Sequence, residues 1–591
     1  MRTRMRSVAV VGLILAAATC RAAPVDDISI NVVQMASAVS GGAELNRGYT
    51  AARIAVSNSS RSAAHEIELK MGGYGQRGVI RRFKLAPGAS TRFMWASPML
   101  RGGGYMYALV DGDSKAVGTS LGTVKSYFSG VPVPALLVSR RVEFDPLDDK
   151  LNTTAAVAAV AAAAPLVGFH HGYTPPPSGR KASLFRAEME ADAWFGDRLA
   201  YTCYDAVVLA PDDWGKMSAE TRDALTCYAE CGGTVLVFDK WEPPAGWDTS
   251  PDWVSGGFRI RQVGFGRWIR IPVASSKSLT DPQISTLRSL MDRQRHSADD
   301  MSKSLAGFTV IPNVSVPIGG ISIFIVSFVI MAGPVNLFYV IRRKKRLWLL
   351  WTTPVLGLVF SGALILYFFL SEGVAARGRI QAVTLLNETT KRATTLAVDG
   401  LYCPIPPRGG LVYGNEWELA WRDDTRGYGM NGEAGELELG PVQHLDGFIS
   451  ARVPFVLSMR GSRHASERLP VTVGAGGEVE VVNGLGATLK TLRVMLPDGR
   501  EFEAGAEVAA GAKARLHPAA KPKGAPVPIA NFGDRCAWVV NTLPARIALQ
   551  QGWYTAELGG VVFAQKGLPG ATYQEQQIVI GVMAGAKGGA L

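Results

Sequence analysis

The chain has 591 residues with 62 Lys and Arg against 50 Asp and Glu, a formal net charge of +12 and only 19% charged residues. That length exceeds what one hydrophobic core organises, so several domains are expected. The positive surplus does not mark a nucleic-acid-binding protein, because part of it falls in the N-terminal leader and in one five-residue turn, while the remaining Arg and Lys alternate with acids; no nucleic-acid partner is expected.

Arg2, Arg4 and Arg6 precede the apolar run 8–18, and the small residues Ala22 and Ala23 follow. This is the order of a secretory signal peptide, assigned to residues 1–23. A lipid anchor on Cys20 and an uncleaved helix are the alternatives. Thr19 directly before the cysteine disfavours the first, and the shortness of the apolar run disfavours the second.

Residues 24–130 have a period of two. His65-Glu66-Ile67-Glu68-Leu69-Lys70-Met71 alternates polar and apolar side chains, and Ala86-Pro87-Gly88 separates two such runs as a turn. An immunoglobulin-like β-sandwich is expected. His65 and Glu66 are adjacent on a strand and point to opposite faces, so they do not form an acid/base pair.

Residues 131–300 alternate strands with helices. Ala135-Leu136-Leu137-Val138 and Ala206-Val207-Val208-Leu209-Ala210 read as buried strands, and 153–164 as an alanine-rich helix ended before Pro165. Ser218 caps a helix running to Cys231, Gly232 stops it, and Thr234-Val235-Leu236-Val237-Phe238 is the next strand. The segment reads as an α/β parallel-sheet domain. His170-His171 ahead of Pro175 are taken as surface residues, and Gly264-Phe265-Gly266-Arg267 as a turn between strands rather than a phosphate cradle.

Without Cys20 the chain keeps Cys203, Cys227, Cys231, Cys403 and Cys536. In a strand-helix-strand unit the helix end carrying Cys227 and Cys231 returns to the strand start carrying Cys203, so a disulfide from Cys203 to one of them is expected, with Cys403 to Cys536 as a second. No histidine clusters with Cys227 and Cys231, so neither a metal nor another cofactor is expected.

Residues 316–341 and 347–371 are uncharged runs, each longer than the ~20 apolar residues a membrane-spanning helix needs. Between them, at 342–346, lie Arg342, Arg343, Lys344, Lys345 and Arg346. The positive-inside rule places this turn in the cytoplasm and both flanking regions outside. The expected location is thus the bacterial inner membrane, with the lipid bilayer as a partner and both large parts extracytoplasmic. Neither span contains an ionisable residue, which argues against a transport pathway. Residues 377–516 are again strand-rich, with Pro497-Asp498-Gly499 as a turn, and suggest a second β-sandwich. Residues 525–591 read as a final β-rich unit.

The run Tyr204-Asp205-Ala206-Val207-Val208-Leu209, with Ser218 to Leu225 and Tyr228-Ala229-Glu230-Cys231-Gly232-Gly233-Thr234-Val235, resembles the class I glutamine amidotransferase-like fold. In particular it is similar to the degenerate versions in large bacterial membrane proteins grouped with von Willebrand A-domain proteins and AAA ATPases. The looser likeness extends to Gly319-Gly320, Ala332-Gly333-Pro334-Val335-Asn336 and Trp351-Thr352-Thr353-Pro354. An active member of that fold needs a cysteine on a Gly-flanked elbow with a histidine base. Here Asp239-Lys240-Trp241-Glu242-Pro243 follows the strand instead, with no catalytic residue recognisable. Asp239, near the nucleophile position, is expected to cap or hydrogen-bond the loop after its strand. The resemblance therefore implies a non-catalytic envelope protein with protein partners in a membrane complex. An envelope hydrolase with an atypical site is the alternative.

Overall fold

The computed structural model describes residues 27–38, 48–72, 78–98, 104–121, 134–152, 182–241, 243–247, 250, 252–291, 308–311, 318–344, 346–372, 375–421, 435–519 and 551–584. The leader, the segment 153–164, His170-His171, Lys345 and Cys536 lie outside the described residues. The chain is a multidomain β-rich protein, and its described residues form an antiparallel sheet of 3 strands and mixed sheets of 8, 11 and 7 strands, with few helices.

The period-two segments form strands as expected. His65–Gly72 buries Ile67, Leu69 and Met71 on one face, and Tyr49–Asn58 buries Ile54 and Val56. Ile28–Gln34, Tyr49–Asn58 and Ser90–Pro98 make the three-stranded sheet. The seven-stranded sheet differs from a sandwich confined to 24–130. Asp113–Leu121, Gly104–Val110, His65–Gly72 and Gly78–Leu85 supply four strands, and Glu436–Leu439, Val442–Asp446 and Leu411–Gly414 supply the rest. Glu436–Leu439 runs parallel to Gly78–Leu85, with Leu437 opposite Val79. One core joins Ile54, Ile67 and Trp95 to Tyr413, Leu437 and Leu457.

In the eight-stranded sheet, Gly266–Ile271, Thr234–Phe238, Ala206–Leu209, Ala135–Val138 and Ser183–Ala187 are mutually parallel. Their unbroken apolar runs follow from cover on both faces. The helix Ala219–Glu230 packs Leu225 and Tyr228 over Val207 and Val235 on one side. Phe144–Leu151 and helical residues 281–291 pack Leu147, Ile284 and Leu287 over Leu136, Val208 and Leu236 on the other. Ser218 caps the first of these helices, its Oγ accepting from Thr221 N at 3.1 Å. Gly266 is required here: a Cβ would lie 2.2 Å from the carbonyl oxygens of Ala229 and Gly233. Ala36–Ala38, from the N-terminal region, closes the far edge antiparallel to Ser183–Ala187.

The eleven-stranded sheet has the parallel pair Arg377–Asn387 and Thr572–Val582 at its centre, flanked by Arg392–Tyr402 and Trp553–Leu558. The boundary expected between 377–516 and 525–591 therefore does not coincide with a sheet boundary, because the last two strands run inside the sheet that the earlier segment builds.

Two apolar helical stretches lie between the flanking regions. In the apolar 18-residue windows of Gly319–Arg342 and Leu349–Tyr367, 6% and 0% of the residues are buried, and both stretches are long and apolar enough to cross a membrane by length and composition. Pro334 has no N–H to donate, and the first stretch opens into a π-helical turn at Met331–Val335. One residue on, Asn336 Nδ2 donates to Thr353 Oγ1 of the second helix at 3.3 Å.

The regions before and after these helices also meet through buried ion pairs. Arg198 lies 3.5 Å from Glu418 and donates to the carbonyl oxygens of Glu416 at 2.8 Å and Arg460 at 3.0 Å. Glu230 accepts from Ser462 Oγ at 3.0 Å and Trp247 Nε1 at 3.1 Å and lies 3.6 Å from Arg392. Removing charges from water at such sites is costly, so once the pairs have formed, deleting one partner leaves the other charge poorly compensated.

Candidate functional site

In an open parallel sheet, ligands bind beyond the carboxyl ends of the strands where the strand order reverses. Here that point lies between Ala135–Val138 and Ala206–Leu209, since Ser183–Ala187 adds on one side and Thr234–Phe238 on the other. The residues gathered there are Ser139, Arg141, Glu190 and Asp213. Arg141 Nε lies 3.1 Å from Glu190 Oε2 and 3.8 Å from Asp213 Oδ1. Asp213 is fully buried: Oδ2 accepts from Ala210 N at 2.7 Å, whereas Oδ1 makes no hydrogen bond. Burial pushes its carboxyl above the usual range, against the pull of Ser139, the Ala210 amide and Arg141. Sequence reasoning missed Asp213. Its signal is an acid just after Ala210-Pro211, where a buried strand ends and a short helix, Asp213–Lys216, begins.

One strand further along, Asp239 occupies the left-handed region at φ 57°. Its N–H donates to Ile271 O at 2.8 Å, and the following Lys240 N–H turns back to Phe238 O at 2.7 Å. A non-glycine residue in such a turn is held by its surroundings at a cost of order 1–3 kcal/mol. The expected role, to cap or hydrogen-bond the loop, gives way here to an ion pair. Arg270 Nε donates to Asp239 O at 2.7 Å, and Arg270 Nη2 lies 3.5 Å from the carboxylate, so the side chain meets a guanidinium across the neighbouring strand instead of the loop backbone. A carboxylate so placed has an ionic partner in place of the proton partner that acid/base chemistry needs.

The cysteines are core residues. Cys203 packs beside Tyr204. Cys227 and Cys231 are buried thiols, pushed up to about 12 and about 11, chiefly by burial. Thiols in that state are poor nucleophiles. The expected bond from Cys203 to Cys227 or Cys231 is not made. Tyr228 occupies the helix face that meets the segment of Cys203, its hydroxyl donating to Tyr204 O at 2.9 Å. Cys227 is one residue round the helix, 3.9 Å from Asp223 Oδ2. Cys403 is likewise a buried thiol, and its expected partner Cys536 lies outside the described residues. Arg342 closes the first apolar helix, Arg343 lies over the Tyr339 ring at 5.6 Å, Lys344 takes φ 53°, and Arg346 opens the turn Arg346–Trp348. Among the described residues, no group of three or more His, Cys, Asp or Glu converges as a metal site.

The chain matches no protein-family model and no curated protein. Among solved structures it is similar to a yeast delta-COP-I mu-homology domain complexed with a Dsl1 WxWxV peptide, at 10% identity over 35% of this chain and 96% of that chain. The TM-score of 0.15 carries no argument about fold or function.

Proposed function

We propose that this chain is a non-catalytic cell-envelope membrane protein. In this reading the apolar helices form a transmembrane hairpin with the basic turn 342–346 in the cytoplasm. The two flanking regions, including a degenerate amidotransferase-like α/β domain and immunoglobulin-like β-sandwich elements, present an extracytoplasmic surface to partner proteins. One observation carries it. Glu436–Leu439 from after the helices is hydrogen-bonded into the sheet that holds Gly78–Leu85 from before them. Two regions that share a sheet must lie on one side of any bilayer the helices enter, and an even number of spans joined by a basic turn supports that arrangement.

Labelling of engineered surface cysteines in intact cells tests it. Sites in both flanking regions should react and a site in the basic turn should not, and reaction in only one flank overturns the topology. The hydrolase reading draws on one observation, the left-handed turn at Asp239 beyond a parallel strand. Asp239→Asn separates the two. The scaffold reading expects the cellular role to persist at unchanged abundance, whereas a null phenotype with normal abundance favours the enzyme.

A further inference from the structure

Both ends of the pair of apolar helices lead into one end of the eleven-stranded sheet. The helix Leu349–Glu372 stops five positions before Arg377, where the strand Arg377–Asn387 begins. Residues 308–311, which precede the first helix, lie against the same end. Arg379 Nη1 donates to Thr309 O at 2.7 Å, and a Cβ on Gly400 would lie 2.7 Å from Val310 and 2.8 Å from Phe308. From Ile311 the helix start at Ile318 is seven positions on. Connections of that length reach at most about 18 Å after the second helix and about 25 Å before the first.

Strand direction decides which loops share that end. Arg377–Asn387 runs away from the helices and Arg392–Tyr402 returns, with Tyr402 opposite Arg377. The next strand, Phe455–His464, starts there, with Phe455 opposite Leu401. Residues 403–410 and 449–454 therefore emerge on the helix side, displaced from Arg377 by one and two strand spacings, about 5 and 10 Å. Arg452 N–H donates to Cys403 O at 2.8 Å and joins the two loops. Outside residues 319–367, three large apolar side chains among the described residues are more than half exposed: Val254 and, on these two loops, Ile405 at 55% and Val453 at 53%. Beside them Gly410 N–H donates to Pro407 O at 3.4 Å and Gly409 takes φ 96°, a turn that sets Arg408 at its tip. Arg408 is exposed and, among the described residues, has no acidic partner. Neither loop contains Asp or Glu.

Exposed apolar groups flanking an arginine suit the surface of an anionic bilayer, where the apolar groups enter between headgroups and the guanidinium meets phosphate. The short connections exclude a folded partner at this place, since a domain about 30 Å across does not fit a gap of at most about 18 Å. We infer that residues 403–410 and 449–454 form a membrane-docking edge. Ile405 and Val453 enter the headgroup layer of the extracytoplasmic leaflet, and Arg408 binds phospholipid phosphate. Docking at this edge fixes the tilt of the flanking regions over the bilayer, which two short connections alone leave free. The inference rests on the transmembrane-hairpin reading, and the experiment reads insertion and docking separately.

The experiment uses the full chain, with Cys20→Ser and Cys536→Ser, reconstituted in vesicles of phosphatidylethanolamine and phosphatidylglycerol. Cys203, Cys227, Cys231 and Cys403 are buried, so a nitrobenzoxadiazole label enters at one introduced site, Ala451→Cys on the docking edge or Thr389→Cys at the far end of the strand pair. Ala451 and Thr389 are both exposed. Lipid carrying a nitroxide just below the headgroup should quench the Ala451 label and leave the Thr389 label unquenched. Ile405→Ser with Val453→Ser should abolish this difference, and Arg408→Ser should lower the docked-to-undocked ratio about fivefold in these vesicles and much less in phosphatidylcholine. Unchanged near-ultraviolet circular dichroism establishes that each variant is folded. Equal quenching at the two sites, quenching that survives the two serine substitutions, an unchanged ratio in Arg408→Ser, or a blue-shifted Ala451 label that nitroxide lipid does not reach, as under a protein cover, would overturn the inference. Extraction of the chain by alkaline carbonate would overturn the hairpin reading and the docking with it. Resistance to extraction with an unquenched Ala451 label would refute the docking alone.

Discussion

Asp399→Asn is the most quantitative perturbation the structure offers. Asp399 is fully buried in the strand Arg392–Tyr402. Its Oδ2 accepts from the Tyr413 hydroxyl at 3.0 Å, Gly567 N at 3.1 Å and the Tyr573 hydroxyl at 3.4 Å, while Oδ1 makes no hydrogen bond. Burial pushes the carboxyl up to about 6, with the Gly567 amide and the two hydroxyls opposing. Raising a carboxyl pKa from 3.8 to about 6 corresponds to about 3 kcal/mol. The sign follows from proton linkage. Below the unfolded value both states hold the proton and there is no penalty. As pH rises through about 6 the folded state must ionise a buried acid, so stability is lost with rising pH. About 2 kcal/mol of that loss falls between pH 4.5 and 7.5. Asparagine keeps the acceptor oxygen and cannot ionise, though its amide faces the unpartnered position at a cost of about 1–3 kcal/mol that does not vary with pH. Urea unfolding in detergent, followed for both proteins across this range, should show the variant gaining about 2 kcal/mol relative to the wild type. A difference constant to within about 1 kcal/mol would refute the assignment of a raised carboxyl.

Arg198→Met should destabilise the chain by about 1–3 kcal/mol, because it removes one of the two guanidinium groups 3.5 Å from the buried Glu418, Arg460 being the other, and leaves the carbonyl oxygens of Glu416 and Arg460 without that donor. Limited proteolysis should then cut between the two flanking regions at protease levels the wild type resists, and an unchanged pattern would deny Arg198 a role in joining them. Gly266→Ala should lower the unfolding midpoint sharply, since its methyl would meet two carbonyl oxygens at 2.2 Å; a shift under about 1 kcal/mol would show that the helix Ala219–Glu230 has room to move. Cys227 and Cys231 should react with maleimide only after unfolding, and a mapped disulfide joining either to Cys203 would contradict the arrangement around Tyr228.

Local features were legible where local physics decides them. Period-two alternation marked His65–Gly72, unbroken apolar runs marked Ala206–Leu209 and Thr234–Phe238, and Ser218 with Gly232 bracketed the helix between those strands. Partner choice was not legible. Nothing in Gly78–Leu85 specifies that its neighbour is Glu436–Leu439, because alternation dictates which face is buried and leaves the identity of the adjacent strand open. The pairing expected for Cys203 with Cys227 or Cys231 failed for a related reason. Topology brought the correct ends together, but a helix turns about 100° per residue, and Tyr228 rather than Cys227 faces the segment of Cys203. Asp213 escaped notice because its interest comes from depth of burial and an unpartnered oxygen, neither of which a residue type reveals.

The interleaving of distant strands sets a timetable for folding during synthesis. Gly78–Leu85 is made about 350 residues before Glu436–Leu439, which at ~5–20 residues per second leaves its edge unsatisfied for roughly 20–70 s. In the eleven-stranded sheet the interval is about half as long, since Arg377–Asn387 receives Thr572–Val582 about 185 residues later, roughly 10–40 s at the same rate. During that interval the nascent protein displays unpaired strand edges able to recruit other extended chains, and its yield should depend on whatever occupies them. Slowing translation after residue 446, once the seven-stranded sheet is complete, should be better tolerated than slowing it before residue 436.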